Sequence, residues 1–199
     1  MDIYLIRHGE CFNSTADYYD GIKKTMNPPL TEKGVFQAQK LADKLSAVRF
    51  DRIYTSDLTR ALNTATIINE KICSEIVITP QFREIDMGDI YIKSWDNYPN
   101  VFDIWKQHKD DIPYPNGENG ADVWKRCKRE IDCIISNSYE RIAIICHGGT
   151  IRSIVCGILD IPQQKRFFFG YPPENCSISI IKHENGQFNL HTFNDYSHI

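Results

Sequence analysis

The chain has 199 residues, close to the size of one domain, so an assembly of many domains is excluded. Its composition, 42% hydrophobic and 25% charged, is that of an ordinary globular protein and excludes a disordered or fibrous chain. The formal net charge of −3 argues against extended binding to nucleic acid or to an anionic membrane surface, so we expect neither as a partner.

The apolar runs and the cysteines indicate the cellular compartment. The longest apolar runs, such as residues 142–146, are far shorter than the roughly 20 residues of a membrane-spanning helix. Met1 is followed by Asp2 and a strand pattern, not by a basic and then apolar signal segment. The seven cysteines form no Cys-x-x-Cys pair, and most lie in apolar runs. We therefore predict a cytoplasmic protein with free thiols.

Three units along the chain consist of a short apolar strand followed by a segment with helical apolar spacing. The predicted strands of these units cover residues 3–6, 52–54 and 142–145. Thr31 is the predicted N-cap of the first helix, and Ser56 or Asp57 is the predicted N-cap of the second. Strands that alternate with helices in this way predict parallel crossovers and a sheet covered on both faces.

The remaining segments complete the predicted fold. Further strands are predicted at residues 76–78, 177–181 and 188–192, and Asn185-Gly186 predicts a hairpin turn between the last two. Residues 85–120 are rich in aromatic and turn-forming residues and are interpreted as an inserted, partly helical cap. The prediction is a single α/β domain over residues 1–199, a three-layer α/β/α sandwich with a mostly parallel mixed sheet.

Reactive side chains follow the strands of the three units. They are Arg7 and His8 after the first strand, Ser56 and then Arg60 after the second, and His147 after the third. In open parallel sheets, ligands bind beyond the carboxyl ends of the strands. We therefore expect two histidines and two arginines to converge at one edge of the sheet.

This combination of side chains suits a phosphate monoester. Arginine binds phosphate oxygens with two hydrogen bonds, and Gly148 and Gly149 allow backbone N–H groups to approach the anion. A neutral imidazole, with an ordinary pKa of about 6.5, is a competent nucleophile, and two arginines would neutralise the transferring phosphoryl group. The six histidines show no metal-ligand spacing. We therefore predict neither a metal nor a cofactor.

Longer blocks of sequence resemble the histidine phosphatase superfamily, also called the phosphoglycerate mutase-like family. The R-H-G signature of that family lies at residues 7–9. Similar blocks follow in the family order at residues 29–34, 54–58, 83–88 and 147–152, so the resemblance covers nearly the whole chain. It implies that His8 accepts the phosphoryl group as a phosphohistidine, and that Arg7, Arg60 and His147 hold its oxygens.

The resemblance also implies that Glu84 is the proton donor. A departing alkoxide needs a proton and the water that attacks phosphohistidine must lose one, so a single carboxyl can serve both steps. Many relatives have an Asn where this chain has Ser14, which makes the neighbouring Asn13 a candidate phosphate ligand. The competing carboxylates are Glu10, Asp86 and Asp89. The predicted phosphate-binding residues are Arg7, His8, Asn13, Arg60, His147 and Gly148.

The expected activity is hydrolysis of a small phosphorylated substrate. The segment 85–90 resembles the phosphatase branch of the family, including broad-specificity and α-ribazole phosphatases. A phosphoglycerate-type mutase is the first alternative, and a non-catalytic module that binds a phosphorylated ligand is the second. A third is a cysteine-dependent phosphatase, because residues 146–153 satisfy the pattern C-x5-R-S. The sequence does not specify an oligomeric state.

Overall fold

The computed structural model describes residues 1–12, 27–91, 93, 95–169 and 172–199. The strands in these ranges are β1 (Asp2–Arg7), β2 (Arg52–Thr55), β3 (Ile76–Ile78), β4 (Arg141–Cys146), β5 (Ile178–Glu184) and β6 (Gln187–Asp195). The α-helices are α1 (Glu32–Leu45), α2 (Thr59–Ile72), α3 (Pro99–Trp105), α4 (Gly120–Ile135) and α5 (Gly148–Ile158). None of these helices is long and apolar enough to cross a lipid bilayer.

All six strands belong to one sheet in the order β3-β2-β4-β1-β5-β6. The strands β1 to β4 are parallel to one another, whereas β5 and β6 are antiparallel additions next to β1. Alternate residues of β4 face opposite sides: Ile144 packs with α4 and α5, and Ile145 packs with α1 and α2. The predicted three-layer α/β/α sandwich with a mostly parallel, mixed sheet is confirmed.

The local signals at turns and helix starts were right in two places and wrong in one. Thr31 caps α1, since its side chain accepts a hydrogen bond from the N–H of Gly34 at 3.0 Å. Asn185 and Gly186 both have positive φ angles, 52° and 75°, as the predicted hairpin turn requires. The predicted cap of α2 at Ser56 or Asp57 is wrong, because Leu58 is the N-cap residue and makes no side-chain cap hydrogen bond.

Helix α4 lies outside the three predicted strand-helix units. A capping box starts it: Asn119 accepts a hydrogen bond from the N–H of Asp122 at 2.9 Å, and the Asp122 carboxylate accepts one from the N–H of Asn119 at 3.2 Å. The buried residues of α4, spaced by three or four positions, are Gly120, Val123, Cys127, Ile131 and Ile134. The helix therefore covers the same sheet face as α5 and reaches the segment that carries Glu84.

The region 85–120, predicted to be a cap, contains α3 and two short 3-10 helices, Gly88–Tyr91 and Trp95–Asn97. Its aromatic rings pack against one another, with centroid separations of 5.3 Å for Trp95 and Trp105 and 5.4 Å for Trp105 and Tyr114. These rings thus form a small aromatic core of their own. All seven cysteines are free thiols, as predicted.

Candidate active site

The carboxyl ends of β2, β4 and β1 are neighbours in the sheet, and the residues that follow them form one buried cluster. The His8 and His147 rings lie 5.1 Å apart between centroids. The Nε of Arg60 donates a hydrogen bond to Nε2 of His8 at 3.2 Å. His8 is 4% exposed, Arg60 7% and His147 0%. The structure therefore brings these predicted residues together, although they lie far apart in the sequence.

The hydrogen bonds of His8 determine where its ring proton lies. Nδ1 is 2.7 Å from the carbonyl oxygen of Gly9, which can only accept a hydrogen bond, so Nδ1 carries the proton. Nε2 is then the unprotonated nitrogen and accepts from Arg60. Burial, followed by the charges of Arg60 and Arg7, lowers the pKa of His8 well below its usual value of 6.5. His8 is therefore neutral near pH 7, with the lone pair of Nε2 directed into the cluster.

The backbone around His8 is held by contacts from three other elements. The N–H of Gly9 donates to Oγ1 of Thr64 at 3.1 Å, and Nδ2 of Asn175 donates to the carbonyl of His8 at 3.0 Å. A Cβ atom at Gly9 would lie 2.5 Å from the carbonyl oxygen of Gly34, so only glycine allows β1 and α1 to approach this closely. The close approach of Gly34 is therefore the physical reason for a glycine at the third position of the R-H-G signature.

His147 is oriented by Ser56, a residue that follows β2. The Ser56 hydroxyl accepts a hydrogen bond from the N–H of Leu58 at 3.2 Å and lies 3.0 Å from Nε2 of His147. When this hydroxyl donates to Nε2, the ring proton of His147 lies on Nδ1. Burial, followed by the charge of Arg60, lowers the pKa of His147 well below 6.5, so this ring is also neutral.

Two nitrogen atoms of the cluster are buried and have no hydrogen-bond partner among the described residues: Nε of Arg7 and Nδ1 of His147. The Nη1 of Arg7 donates to the carbonyl of Pro173, which fixes the guanidinium. A Cβ atom at Gly148 would lie 3.5 Å from Nε of Arg7, so the start of α5 packs against this arginine. Unpaired buried donors of this kind are costly unless a ligand satisfies them, and an oxyanion is such a ligand.

The carboxylate of Glu84 lies at the N-terminus of α5. Its Oε2 accepts from the N–H of Gly149 at 3.2 Å, and its Oε1 accepts from the N–H groups of Thr150 at 3.2 Å and Ile85 at 2.9 Å. A Cβ atom at Gly149 would lie 2.6 Å from Oε1, so a larger residue there would displace the carboxylate from this position. The expected approach of backbone N–H groups to the phosphate therefore needs correction at Gly149, whose N–H binds Glu84, whereas the expected contact of Gly148 stays a prediction.

A cleft of about 320 Å³ opens beside Glu84. The described residues that line it are Asn27, Leu58, Arg83, Glu84, Asp86 and Tyr91. The guanidinium of Arg83 is held by Asp57, with 2.7 Å between Nε and Oδ1. Burial, together with the charge of Glu84, raises the pKa of Tyr91 to about 12, so its hydroxyl stays protonated. The cleft thus joins the proposed acid to the protein surface.

The thiol of Cys146 is placed unsuitably for a cysteine-dependent phosphatase. Cys146 is 0% exposed and packs into the core on the α4 and α5 side of the sheet. Burial raises the pKa of its thiol well above the usual value, so the thiolate is disfavoured. The arginine of the C-x5-R pattern, Arg152, packs over the ring of Phe167, with 5.3 Å from Cζ to the ring centroid. The pattern is therefore not assembled as a phosphate loop.

The other predicted candidates take different places. Asn13 lies outside the described residues, so its predicted phosphate contact stays a prediction, as does that of Gly148. Of the competing carboxylates, Glu10 pairs with Lys33 at 2.9 Å and Asp89 pairs with Lys93 at 2.9 Å, whereas Asp86 lines the cleft. The described residues contain no group of three His, Cys, Asp or Glu side chains arranged to hold a metal ion.

The chain is similar to one family model and to several known proteins. A family model described as "Histidine phosphatase superfamily (branch 1)" matches residues 3–196. Phosphoserine phosphatase 1 of Hydrogenobacter thermophilus is 28% identical over 189 residues, which cover 92% of this chain and 87% of that protein. The "Probable phosphoglycerate mutase GpmB" of Cronobacter sakazakii is 28% identical over 211 residues, 100% of this chain and 95% of that protein. The solved structure of Bacillus stearothermophilus YhfR is 29% identical, covers 99% of this chain and 98% of its own, and has a TM-score of 0.83.

Proposed function

The chain belongs to the histidine phosphatase superfamily, and from this premise we propose that it is a phosphomonoesterase that hydrolyses a small phosphorylated metabolite through a phosphohistidine at His8. One observation carries the proposal: a neutral, buried His8 presents an unprotonated Nε2 in contact with Arg60 and next to His147. A nucleophile without a proton to lose, surrounded by cationic and N–H donors, is the arrangement that phosphoryl transfer requires.

In the first step, Nε2 of His8 attacks phosphorus and the bond between phosphorus and the leaving oxygen breaks. Arg7, Arg60 and Nδ1–H of His147 bind the non-bridging oxygens and stabilise the charge on them. The Glu84 carboxyl, in its protonated form, transfers its proton to the leaving oxygen, so the product leaves as a neutral alcohol. The phosphoryl group is then bonded to Nε2.

In the second step, a water molecule attacks the phosphohistidine. Glu84, now a carboxylate, accepts a proton from this water, and the bond between phosphorus and Nε2 breaks. Inorganic phosphate is released, and both His8 and Glu84 return to their starting protonation states. The scheme uses only side chains of this chain and needs neither a metal ion nor a cofactor.

The cleft beside Glu84 suggests the chemistry of the leaving alcohol. Glu84 must contact the leaving oxygen, so the rest of the alcohol extends into this cleft, whose volume of about 320 Å³ suits a small molecule. Of the described charged residues lining it, Glu84 and Asp86 are acidic, and Arg83 is already paired with Asp57. These charges favour an uncharged or ammonium-bearing alcohol over an anionic one.

A phosphoglycerate-type mutase is the alternative, because several relatives bear the name of a probable phosphoglycerate mutase. A mutase passes the phosphoryl group from His8 to a second hydroxyl instead of to water, and phosphoglycerate carries a carboxylate. Since Arg83 pairs with Asp57, the described part of the cleft offers such a carboxylate no unpaired cation. This favours hydrolysis.

The test is phosphate release from p-nitrophenyl phosphate, with isolation of an acid-labile phosphohistidine on His8. His8→Ala should abolish turnover and labelling without unfolding the protein. Faster interconversion of 2- and 3-phosphoglycerate than phosphate release from any small ester would establish a mutase. A wild-type protein that binds vanadate but releases no phosphate would establish a binding module.

A further inference from the structure

Arg126, on the second turn of α4, binds the backbone of the segment that carries Glu84. Its Nη2 donates hydrogen bonds to the carbonyl of Arg83 at 2.8 Å and to that of Glu84 at 3.3 Å. Its Nη1 donates to the carbonyl of Gln81. The Arg126 side chain is only 17% exposed. One largely buried guanidinium therefore joins three carbonyls within four residues of the chain.

Glu118 orients this guanidinium and binds the other side of the same segment. Its Oε1 accepts from Nε of Arg126 at 2.8 Å, and its Oε2 accepts from the N–H of Asp86 at 3.0 Å. The N–H of Glu118 also donates to the carbonyl of Asp86 at 2.8 Å. Burial alone would raise the pKa of Glu118, but the hydrogen bonds from Arg126 and Asp86 lower it, so the carboxylate is ionised.

Glu84 is consequently held from two directions. Helix α4, through Arg126, binds the backbone of Glu84, while α5 binds its carboxylate through the N–H groups of Gly149 and Thr150. The Thr150 hydroxyl also donates to the carbonyl of Arg83 at 2.7 Å, where Arg126 binds as well. A displacement of about 1 Å in a group that transfers a proton can cost roughly 10²-fold in rate. The position of this loop therefore matters for catalysis.

We infer that Arg126, oriented by Glu118, is a positioning residue that sets the Glu84 carboxyl against the leaving oxygen. This inference rests on the proposed function, in which Glu84 is the proton donor. Arg126 makes no described hydrogen bond to His8, Arg60 or His147 and does not line the described part of the cleft, so its direct contacts to the site are those with the loop. Its charge also helps to lower the pKa of His147, and Arg126→Lys keeps this charge while changing the contacts with the loop. A purely structural ion pair would instead stabilise the fold and affect every substrate equally.

The dependence of the rate on the leaving group separates these two roles. p-Nitrophenolate departs readily without a proton, whereas a simple alkoxide needs one. For Arg126→Met, we expect kcat/KM for an alkyl phosphate to fall about 10²-fold and kcat/KM for p-nitrophenyl phosphate to fall no more than about 3-fold. The ratio kcat/KM is used because it reports the step that forms phosphohistidine, not the later hydrolysis. Equal losses for both esters would overturn the inference.

The matched control is Arg129→Met, because Arg129 is an exposed arginine on the same helix. It should leave both rates unchanged. Arg126→Lys keeps the charge but cannot reach all three carbonyls, so it should show a smaller loss with the same selectivity. If Arg126→Met does not fold, the lysine variant decides the question in the same way: a selective loss supports positioning and an equal loss overturns it.

Glu84→Gln separates failure of this inference from failure of the proposed function. It should show the largest selective loss for the alkyl ester, because it removes the proton itself. If Glu84→Gln is selective and the Arg126 variants are not, the positioning role is wrong and the proposed function stands. If Glu84→Gln affects both esters equally, Glu84 is not the donor, and the inference fails together with that part of the mechanism.

Discussion

The buried cluster of His8, Arg60 and His147 and the cleft beside Glu84 are built differently. His8, Arg60 and His147 are at most 7% exposed and stand at the ends of strands or on the first turn of a helix. In the cleft, the side chain of Arg83 is 53% exposed, and Asp86 lies in a loop. The cluster is thus fixed by the sheet, whereas the cleft depends on connecting segments.

We expect the rigid cluster to determine the reaction and the loops of the cleft to determine the choice of substrate. Charges that stabilise a transition state act most strongly when they are rigid and shielded from water, which the sheet edge provides. Loops tolerate changes in sequence, and they shape most specificity sites for this reason. Substitutions in the cluster should therefore change the rate for every ester, and those in the cleft should change the preference among esters.

The largest expected effect compares two neighbouring strand ends, where His8 follows β1 and belongs to the cluster, and Cys146 ends β4 and packs into the core. His8→Asn should lower kcat by at least about 10⁴-fold, because it removes the nucleophile. Cys146→Ser should stay within about 3-fold of wild type, since the thiol is buried and its raised pKa keeps it protonated. Phosphate release from p-nitrophenyl phosphate measures both. The reverse pattern would assign the nucleophile to the thiol.

The next effect compares an arginine of the cluster with one of the cleft. Arg60→Met should lower kcat about 10²- to 10³-fold, as expected for the loss of one buried donor to the transition state, and should weaken vanadate inhibition. Arg83→Met should cost less than about 10-fold, because this exposed side chain is paired with Asp57. Comparable losses in the two variants would contradict the division between cluster and cleft.

A smaller effect concerns stability and pH. The pKa of His8 is lower in the folded protein than its usual value of 6.5, so protonation favours the unfolded chain. The contribution of His8 to the free energy of unfolding should be constant above about pH 6.5 and should decrease at lower pH until the folded pKa is reached. The decrease amounts to about 1.4 kcal/mol per pH unit. Urea unfolding from pH 7.5 to 5 gives the free energy of unfolding of wild type and of His8→Asn. If the two free energies change with pH in the same way, the prediction is refuted.

The smallest effect lies in the cleft alone. Asp86→Asn should reduce the preference for an ammonium-bearing ester over an uncharged one by about 5-fold, since an exposed charge pair contributes at most about 1 kcal/mol. Inhibition by inorganic phosphate should not change, because Asp86 does not reach the cluster. Competition assays with matched amino-alkyl and alkyl phosphates provide the measurement. A change in phosphate inhibition without a change in preference would show that the cleft does not bind the alcohol.

Much of the site could be predicted from the sequence because one rule of topology applies to it. The carboxyl ends of parallel strands lie on one edge of a sheet, so residues that follow three such strands are brought together whatever the intervening chain does. His8, Arg60 and His147 meet for this reason. Helix α4 was not among the predicted units, although Asn119 and Asp122 form a recognisable capping box before its buried apolar spacing.

Contacts between distant segments were beyond prediction. The side chain of Asp57 pairs with Arg83 and does not cap α2, and the N–H groups of Gly149 and Thr150 at the start of α5 bind the side chain of Glu84. No sequence motif linked Arg126 to Glu84, because Arg126 binds backbone carbonyls about 40 residues earlier in the chain. Backbone carbonyls are present in every residue, so sequence patterns do not mark them as partners.

The amino-acid sequence by itself determined the fold class and the set of candidate residues, because alternating strand and helix patterns and short motifs are local properties of the chain. Only the tertiary structure decided which nitrogen of His8 is unprotonated, that Cys146 faces the core, and that Glu84 is held between α4 and α5. The physical reason is that protonation and orientation depend on burial and on nearby charges, which residues far apart in the sequence supply only after folding.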